Sequence, residues 1–540
     1  MARFVTLKSS ERHLLPNSRL AGKADLSDVV SVTVRVRSKG NMDALEKLVM
    51  AECKKRVSDR NLPSRDELNA NYGANPKDLD AVEYYAASHN LVIEQRSAAQ
   101  RAVRLRGQLG DVLRAFPAQV AHYHHNMGTY RGRTGVIEVP EPLSGVITGI
   151  FGFDTRPMTR NRPGRRVHIA AGDGPGGANG LSPLDWARRY NFPTNSNGQP
   201  LDGRGQTVAI IELGGGYQAA ELLIYFQKLG IPAPNVVDVA VSSGANLPGS
   251  DATADAEVMM DIEVVGAVAP KANIVVYFAQ NTQQGFMDAV MAAVHDMERR
   301  PDVISISWGS PEPDKGSQQQ EMNDFHSTLV QAAAGNIAVC VATGDHGTPD
   351  LNQSEWNGGI HVDYPASDPL SLACGGTQVD DNRGIDVVWN DNTPFDPAKG
   401  DNCGWTTGGG FSQWYDVPDY QDSSTLGQPL PGVRLGRGIP DIAMSAQDYF
   451  VRIDSGYSNS GGTSAVAPLM SALIALLSQA KGRPVGFLNP IFYANPSICN
   501  PVTLGTNAIT DTAPGYKAGA GWSACAGLGT PDGAKLLAAI

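Results

Sequence analysis

The sequence predicts two unlike domains: a small α+β domain, then a larger α/β domain built on a doubly wound, mostly parallel sheet. Three observations carry this reading. At 540 residues the chain is too long for one ordinary hydrophobic core. Near residue 180 its texture changes from alternating, half-buried patterns to apolar runs separated by helical stretches. Its charge also changes sign, since residues 1–170 hold 27 Lys+Arg against 17 Asp+Glu while the whole chain holds 44 against 55.

In the first domain, residues 30–38 (VSVTVRVRS) alternate apolar and polar, as a half-buried strand does. Helical patterns follow at 42–56 and 77–89, and LVIEQRS, AVRLRGQ and VIEVP read as further strands of a domain spanning residues 1–155. Residues 156–180 then break the pattern. Arg156, Arg160, Arg162, Arg165 and Arg166 precede AAGDGPGGANG, the composition of an exposed, cleavable linker. From 181 to 540 the apolar strands are TVAIIEL (207–213), NIVVYFA (273–279), VISISW (303–308) and IAVCVAT (337–343). In such a sheet function gathers beyond the carboxyl ends of the strands, where Glu212, Trp308 and Asp345 fall.

Composition excludes several classes. No run of about 18 apolar residues is present, so no membrane span is expected. Met1–Pro16 is polar and carries no classical signal peptide, so the route of any export is not visible. The basic residues of the first domain are dispersed among carboxylates without stacking aromatics, which argues against nucleic acid and for attraction between the two domains. The six cysteines show no CxxC spacing, and Cys340 reads as a buried thiol. His122, His124 and His125 read as exposed loop histidines, with a metal site or pH sensor as the alternative.

The sharpest chemical signal is GGTSAVAP (461–468) leading into an apolar helix. A serine at a glycine-rich helix entry has an exposed hydroxyl, and the free N–H groups of the first turn can support an oxyanion. The plain alternative is a capping serine. A nucleophile needs a base. His346 tempts, but its neighbour Asp345 is adjacent in sequence and adjacent side chains diverge, so a solvent-facing or locally bonded histidine is expected. Glu257 and Asp261 lie four apart on a predicted helix and share a face. They are either two carboxylates sharing a proton or, with Asp255 and Glu263, part of an acidic solvated face.

With these motifs the chain resembles the sedolisins, the serine-carboxyl peptidases, in their kumamolisin-like branch. The resemblance rests on IIELGGGY (210–217), EVMMDIEVVGAVAP (257–270), SISWG (305–309), GDHG (344–347), HVDYPAS (361–367), CGGT (374–377), GGTSAVAP and AGAGW (518–522). It implies a subtilisin-like catalytic domain behind a ferredoxin-like inhibitory prodomain. It further implies Ser464 as nucleophile, Glu257 as general base and acid, Asp261 as its orienter and Asp345 in the oxyanion hole. Glu212 and Trp308 would extend the network, and Asp363 would be a subsite carboxylate for a basic side chain.

A glutamate still accepts protons near pH 4, where a histidine base is spent. The implied protein is therefore an acid endopeptidase acting on polypeptides, made as an autoprocessing zymogen, monomeric and extracellular. Acid is expected to discharge the acidic domain, loosen the prodomain and permit cleavage within 160–180.

One family feature is missing. The family's calcium ligands include two carboxylates, and the matching positions here are Pro501 and Ser523, leaving only the carbonyls of Val502, Gly519 and Gly521. Calcium wants charged oxygens, so no metal is expected. Cys499 and Cys525 flank the vacated site, and a disulfide between them is expected to replace the ion as a clip, with two free buried thiols as the alternative. Two rival functions remain: a catalytically dead homologue kept as a binding module, and a neutral protease using His346.

Overall fold

The computed structural model describes residues 3–125, 128–159, 167–168, 180–351, 358–391, 405–510 and 512–540. In the first domain the strands are Phe4–Thr6 (β1), Arg19–Lys23 (β2), Val29–Val36 (β3), Val92–Ser97 (β4), Ala102–Gln108 (β5), Ala118–His125 (β6), Gly128–Pro140 (β7) and Ile147–Phe151 (β8). Its helices are Met42–Glu52 (α1), Arg65–Tyr72 (α2), Pro76–Ala87 (α3) and Leu109–Ala115 (α4). Asn41, Ser64 and Asn75 cap the first three by accepting main-chain N–H bonds, which fixes where each begins.

One sheet runs β4-β5-β3-β8, all antiparallel, which with α3 and α4 packed on it is the expected ferredoxin-like arrangement. Of a second four-stranded sheet, β1-β7-β6-β2, only the VIEVP end of β7 was legible in the sequence. Its strand β6 holds His122, His124 and His125, so these are sheet residues and not loop histidines; His124 Nδ1 lies 2.8 Å from Thr129 Oγ1.

The second domain is built on Thr207–Glu212 (β9), Asn235–Ala240 (β10), Asn273–Phe278 (β11), Val303–Ile306 (β12), Ala338–Ala342 (β13), Leu372–Asp380 (β14), Ile385–Val388 (β15) and Ile442–Ser445 (β16). The order is β10-β11-β9-β12-β13-β14-β15, with β16 also paired to β14. Every pair is parallel except β14–β15. Along β9, Val208 and Ile210 enter one core and Ala209 and Ile211 the other, so both faces are covered. The helices Ala252–Val268 (α5) and Thr463–Lys481 (α8) fill the first core; Gln283–Val294 (α6) and Gln319–Ala334 (α7) fill the second.

By length and composition α8 could cross a membrane, contrary to the expectation that no such apolar run exists; 83% of its apolar window is buried, which makes it a core helix. Gly462 precedes it at φ 119°, and Gly482 ends it in the left-handed region.

The two domains share a core and a set of buried ion pairs. Leu45, Val49, Cys53, Leu68 and Phe151 belong to the same apolar cluster as Phe286, Phe325 and Leu329. Arg12, 2% exposed, reaches Glu321 at 3.4 Å, and Arg35, 1% exposed, reaches Asp324 at 3.0 Å and Asp288 at 3.4 Å. The charge complementarity anticipated from composition is thus concentrated in desolvated pairs, where removing one partner costs about 3–5 kcal/mol.

Two expectations about the junction change. Arg156 is buried, bound to Asp154 and to the His13 carbonyl, and Met158 and Thr159 are held by Asn281, so residues 156–159 are anchored to the body of the protein. Most of the linker, 160–166 and 169–179 with its other four arginines and the expected cleavage span, lies outside the described residues. Val167–His168 pairs with Gly456–Ser460, and the Leu181 N–H bonds the Asp448 carbonyl.

Candidate active site

The predicted helix around Glu257 forms as α5, started by Asp251, whose carboxylate accepts from the Thr253 and Ala254 N–H groups. It is buried from Ala254 onward apart from the partly exposed Asp255, which rules out an acidic solvated face: Glu257 is 3% exposed, and Asp261 and Glu263 are fully buried. Glu263 leaves the pair by pointing elsewhere, accepting the Arg452 N–H at 2.8 Å. Glu257 and Asp261 stay together on one face, one turn apart.

Glu212, the last residue of β9, joins them as a third buried carboxyl. Its Oε2 accepts from Trp308 Nε1 at 2.9 Å. Burial, then the charges of Asp261 and Glu257, push Glu212 well above the usual carboxylate range. Burial and Glu257 do the same to Asp261, with the Ser307 hydroxyl pulling the other way. Three carboxyls in one dry volume cannot all ionise, so protons are retained here at pH values where exposed carboxylates have lost theirs.

Ser464 sits in the first turn of α8, which packs against α5. Pro468 lies four residues after Ser464 and supplies no N–H to the Ser464 carbonyl. The Ser307 hydroxyl takes that place: its Oγ is 3.2 Å from the Ser464 carbonyl and 2.7 Å from Asp261 Oδ2. The Ser307 hydroxyl donates to Asp261 Oδ2 in the shorter contact, so its one proton is shared unequally between that carboxyl and the Ser464 carbonyl. Ser307 lies inside the SISWG segment, yet its role depends on two helices meeting at the end of β12, and sequence reasoning passed over it. The Ser464 hydroxyl leans on the Ser307 carbonyl at 3.5 Å.

Asp345 follows β13 and faces the same turn. Its Oδ1 accepts from the Thr463 N–H and the Thr463 hydroxyl, both at 2.8 Å. Its Oδ2 lies where a Cβ on Gly462 would come within 2.6 Å, so only glycine permits this approach. Burial pushes the Asp345 carboxyl up to about 6, against the pull of the two Thr463 bonds. It can therefore donate a hydrogen bond beside Ser464 in acid solution. The adjacent His346 lines the same cavity as Ser464 and stacks on Trp405, ring centroids 5.1 Å apart, the locally engaged histidine expected.

A cavity of about 340 Å³ opens above Ser464. Asp363 lines it, 5% exposed and pressed against Gly309, where a Cβ would meet its Oδ1 at 2.1 Å. Asp350 and Glu312, not singled out in the sequence, complete an acidic wall, and burial raises the pKa of all three. His13–Pro16 and Pro157–Thr159 of the first domain line the cavity opposite. The first domain therefore lies over the serine.

The C-terminal loops differ from expectation. Cys499 and Cys525 are both free, buried thiols, so the expected disulfide is not formed. Each has its own setting: Cys499 is in a strand pairing with Pro531, and Cys525 lies 3.7 Å from Ser523 Oγ inside the core. Strand pairing and apolar packing hold these loops together. At the position matched to the calcium site, the Ser523 hydroxyl accepts the Ala526 N–H at 3.2 Å.

Comparison with known proteins agrees with the geometry. Residues 16–156 match the model of the pro-kumamolisin activation domain, and residues 242–490 that of the subtilase family. The chain is 39% identical over 524 residues to kumamolisin from Bacillus sp. (strain MN-32), covering 95% of this chain and 91% of that protein. It is 27% identical over 463 residues to sedolisin from Pseudomonas sp. (strain 101), covering 80% and 74%. The solved structure of Pseudomonas sedolisin complexed with two molecules of pseudo-iodotyrostatin superposes with a TM-score of 0.56 at 26% identity, over 67% of this chain and 97% of that one.

Proposed function

We propose that this chain, which belongs to the sedolisin family of serine-carboxyl peptidases and is a serine endopeptidase made with its own activation domain, cleaves polypeptides in acid through an acyl-enzyme on Ser464. The observation that carries this reading is the set of buried, proton-retaining carboxyls around Ser464, with Asp345 held near a pKa of about 6.

In this reading Glu257 takes the Ser464 proton as Oγ attacks the scissile carbonyl, and returns it to the leaving amine. Asp261 orients Glu257, with Glu212 and Trp308 fixing the pair from β9 and the loop after β12. Asp345, protonated below about pH 6, donates to the carbonyl oxygen as it becomes an oxyanion. Water then repeats the sequence on the acyl-enzyme. Asp363 at the cavity wall favours a basic side chain near the scissile bond.

The activation domain blocks the cleft until it is cut, and the same serine does the cutting. The protein works as a monomer, outside the cell and without calcium. Hydrolysis of a denatured protein should be measured from pH 3 to 7. Ser464→Ala and Glu257→Gln should each abolish it, with a loss of about 10⁴-fold or more, and His346→Ala should leave it intact. Activity surviving in Glu257→Gln but lost in His346→Ala would reverse the assignment of the base.

A further inference from the structure

Asn281 holds the chain leaving the activation domain by its main chain alone. Its Oδ1 accepts from the Met158 N–H at 3.0 Å and the Thr159 N–H at 3.1 Å, and its Nδ2 donates to the Thr159 carbonyl at 2.8 Å. No side chain of the held segment is read, so the clamp is indifferent to sequence. The segment it holds, Pro157–Thr159, is a wall of the cavity that contains Ser464, Asp345 and Asp363.

The clamp is rigidly presented. Asn281 follows β11 and is the apex of a tight turn in which the Thr282 N–H bonds the Gln280 carbonyl at 2.7 Å. Thr282 caps α6 by accepting the Gly285 N–H at 3.1 Å. At Gly285 a Cβ would meet the Gln280 carbonyl oxygen at 2.2 Å, so glycine is needed for the loop to close this tightly.

We infer that Asn281 is a substrate-binding residue: after the activation domain leaves, it clamps the main chain of an extended polypeptide substrate along the cleft wall, where Met158 and Thr159 lie in the precursor. This rests on the peptidase reading above. The bonds it offers are two acceptor contacts to successive amide N–H groups and one donor contact to a carbonyl, which any non-proline dipeptide can satisfy. A proline at the second of the two positions would forfeit one bond.

The test uses the full chain activated in acid, a decapeptide substrate, and ester analogues in which one amide N–H at a time is replaced by oxygen. Asn281→Ala should raise KM about tenfold, the loss of two to three ordinary hydrogen bonds, with kcat within about twofold of wild type. At one or two adjacent positions the ester should weaken binding to wild type but not to Asn281→Ala. Asn281→Asp guards against a folding defect: protonated near pH 3 it can accept and donate like the amide and should recover most of the affinity, then lose it as pH rises past 5.

An unchanged KM in Asn281→Ala, or an equal ester penalty in both proteins, would overturn the inference and confine Asn281 to holding the activation domain. A wild-type chain that cleaves no peptide would overturn the peptidase reading itself, and with it the clamp.

Discussion

His295 makes the docking of the activation domain sensitive to acid. It follows α6 in the catalytic domain and its Nδ1 lies 3.2 Å from Asn69 Oδ1 on α2 of the activation domain. Its Nε2 is shut off from solvent. Burial, then the charges of Arg101, Arg35 and Arg65 from the activation domain, hold its pKa down to about 3, with Gln331 only partly offsetting them. Once the domains part, the ring should titrate near its ordinary value of about 6.5.

Because the docked state binds the proton less well, docking keeps its full strength above about pH 6.5 and weakens as pH falls, until both states are protonated below about pH 3. Each pH unit inside that window removes about 1.4 kcal/mol. At pH 4 the loss is roughly 3 kcal/mol, or about 300-fold in the docking equilibrium.

Hydrogen exchange in α1 and α2, corrected for intrinsic rate and measured in the Ser464→Ala chain so that nothing is cut, gives the opening free energy directly. It should drop between pH 6.5 and 4, and His295→Gln should remove about 3 kcal/mol of that drop. An equal drop with and without His295 would refute the argument.

Three further outcomes follow from the site and the C-terminal loops. Activity should decline above about pH 6 as Asp345 ionises and stops donating, and Asp345→Asn, a permanent donor, should retain measurable activity and move the alkaline limit upward in a pH–rate profile. Calcium chelation should leave the melting temperature within about 2 °C, since loss of a bound structural ion would shift it by more. Alkylation of the denatured, unreduced chain should label Cys53, Cys340, Cys374, Cys499 and Cys525, with peptide mass spectrometry as the readout.

Much of the fold was legible because β9, β11, β12 and β13 are short, largely apolar runs rich in Val and Ile, the pattern that burial on both faces demands. Strands with mixed exposure were not. β10 is a half-exposed edge, and β14 is crossed by Gly375 and Gly376, so neither shows a clean period. In the sheet of β1, β2, β6 and β7 all but the VIEVP end of β7 escaped for the same reason, β6 being only half-buried along its length.

Within the site, Ser464, Glu257 and Asp261 could be named from a helix entry and a helix face, Glu212, Trp308 and Asp345 from their place beyond strand ends, and Asp363 only through the resemblance to the sedolisins. Ser307, Asp350, Asn281 and His295 could not. Each acts through a partner distant in the chain: Ser307 through Asp261 and the Ser464 carbonyl, Asn281 through Met158 and Thr159, His295 beside Asn69.

The clip between the C-terminal loops shows the same limit. The loss of the two calcium carboxylates at Pro501 and Ser523 is a fact of sequence, but a disulfide needs two sulfur atoms about 2 Å apart in the right dihedral. Packing put Cys499 and Cys525 in separate settings, and that was decided only in three dimensions. The sequence by itself determined which groups can carry the chemistry and that the two domains attract. The tertiary structure decided which carboxyls share a dry volume and so keep their protons, because desolvation and charge coupling depend on distance in space and not along the chain.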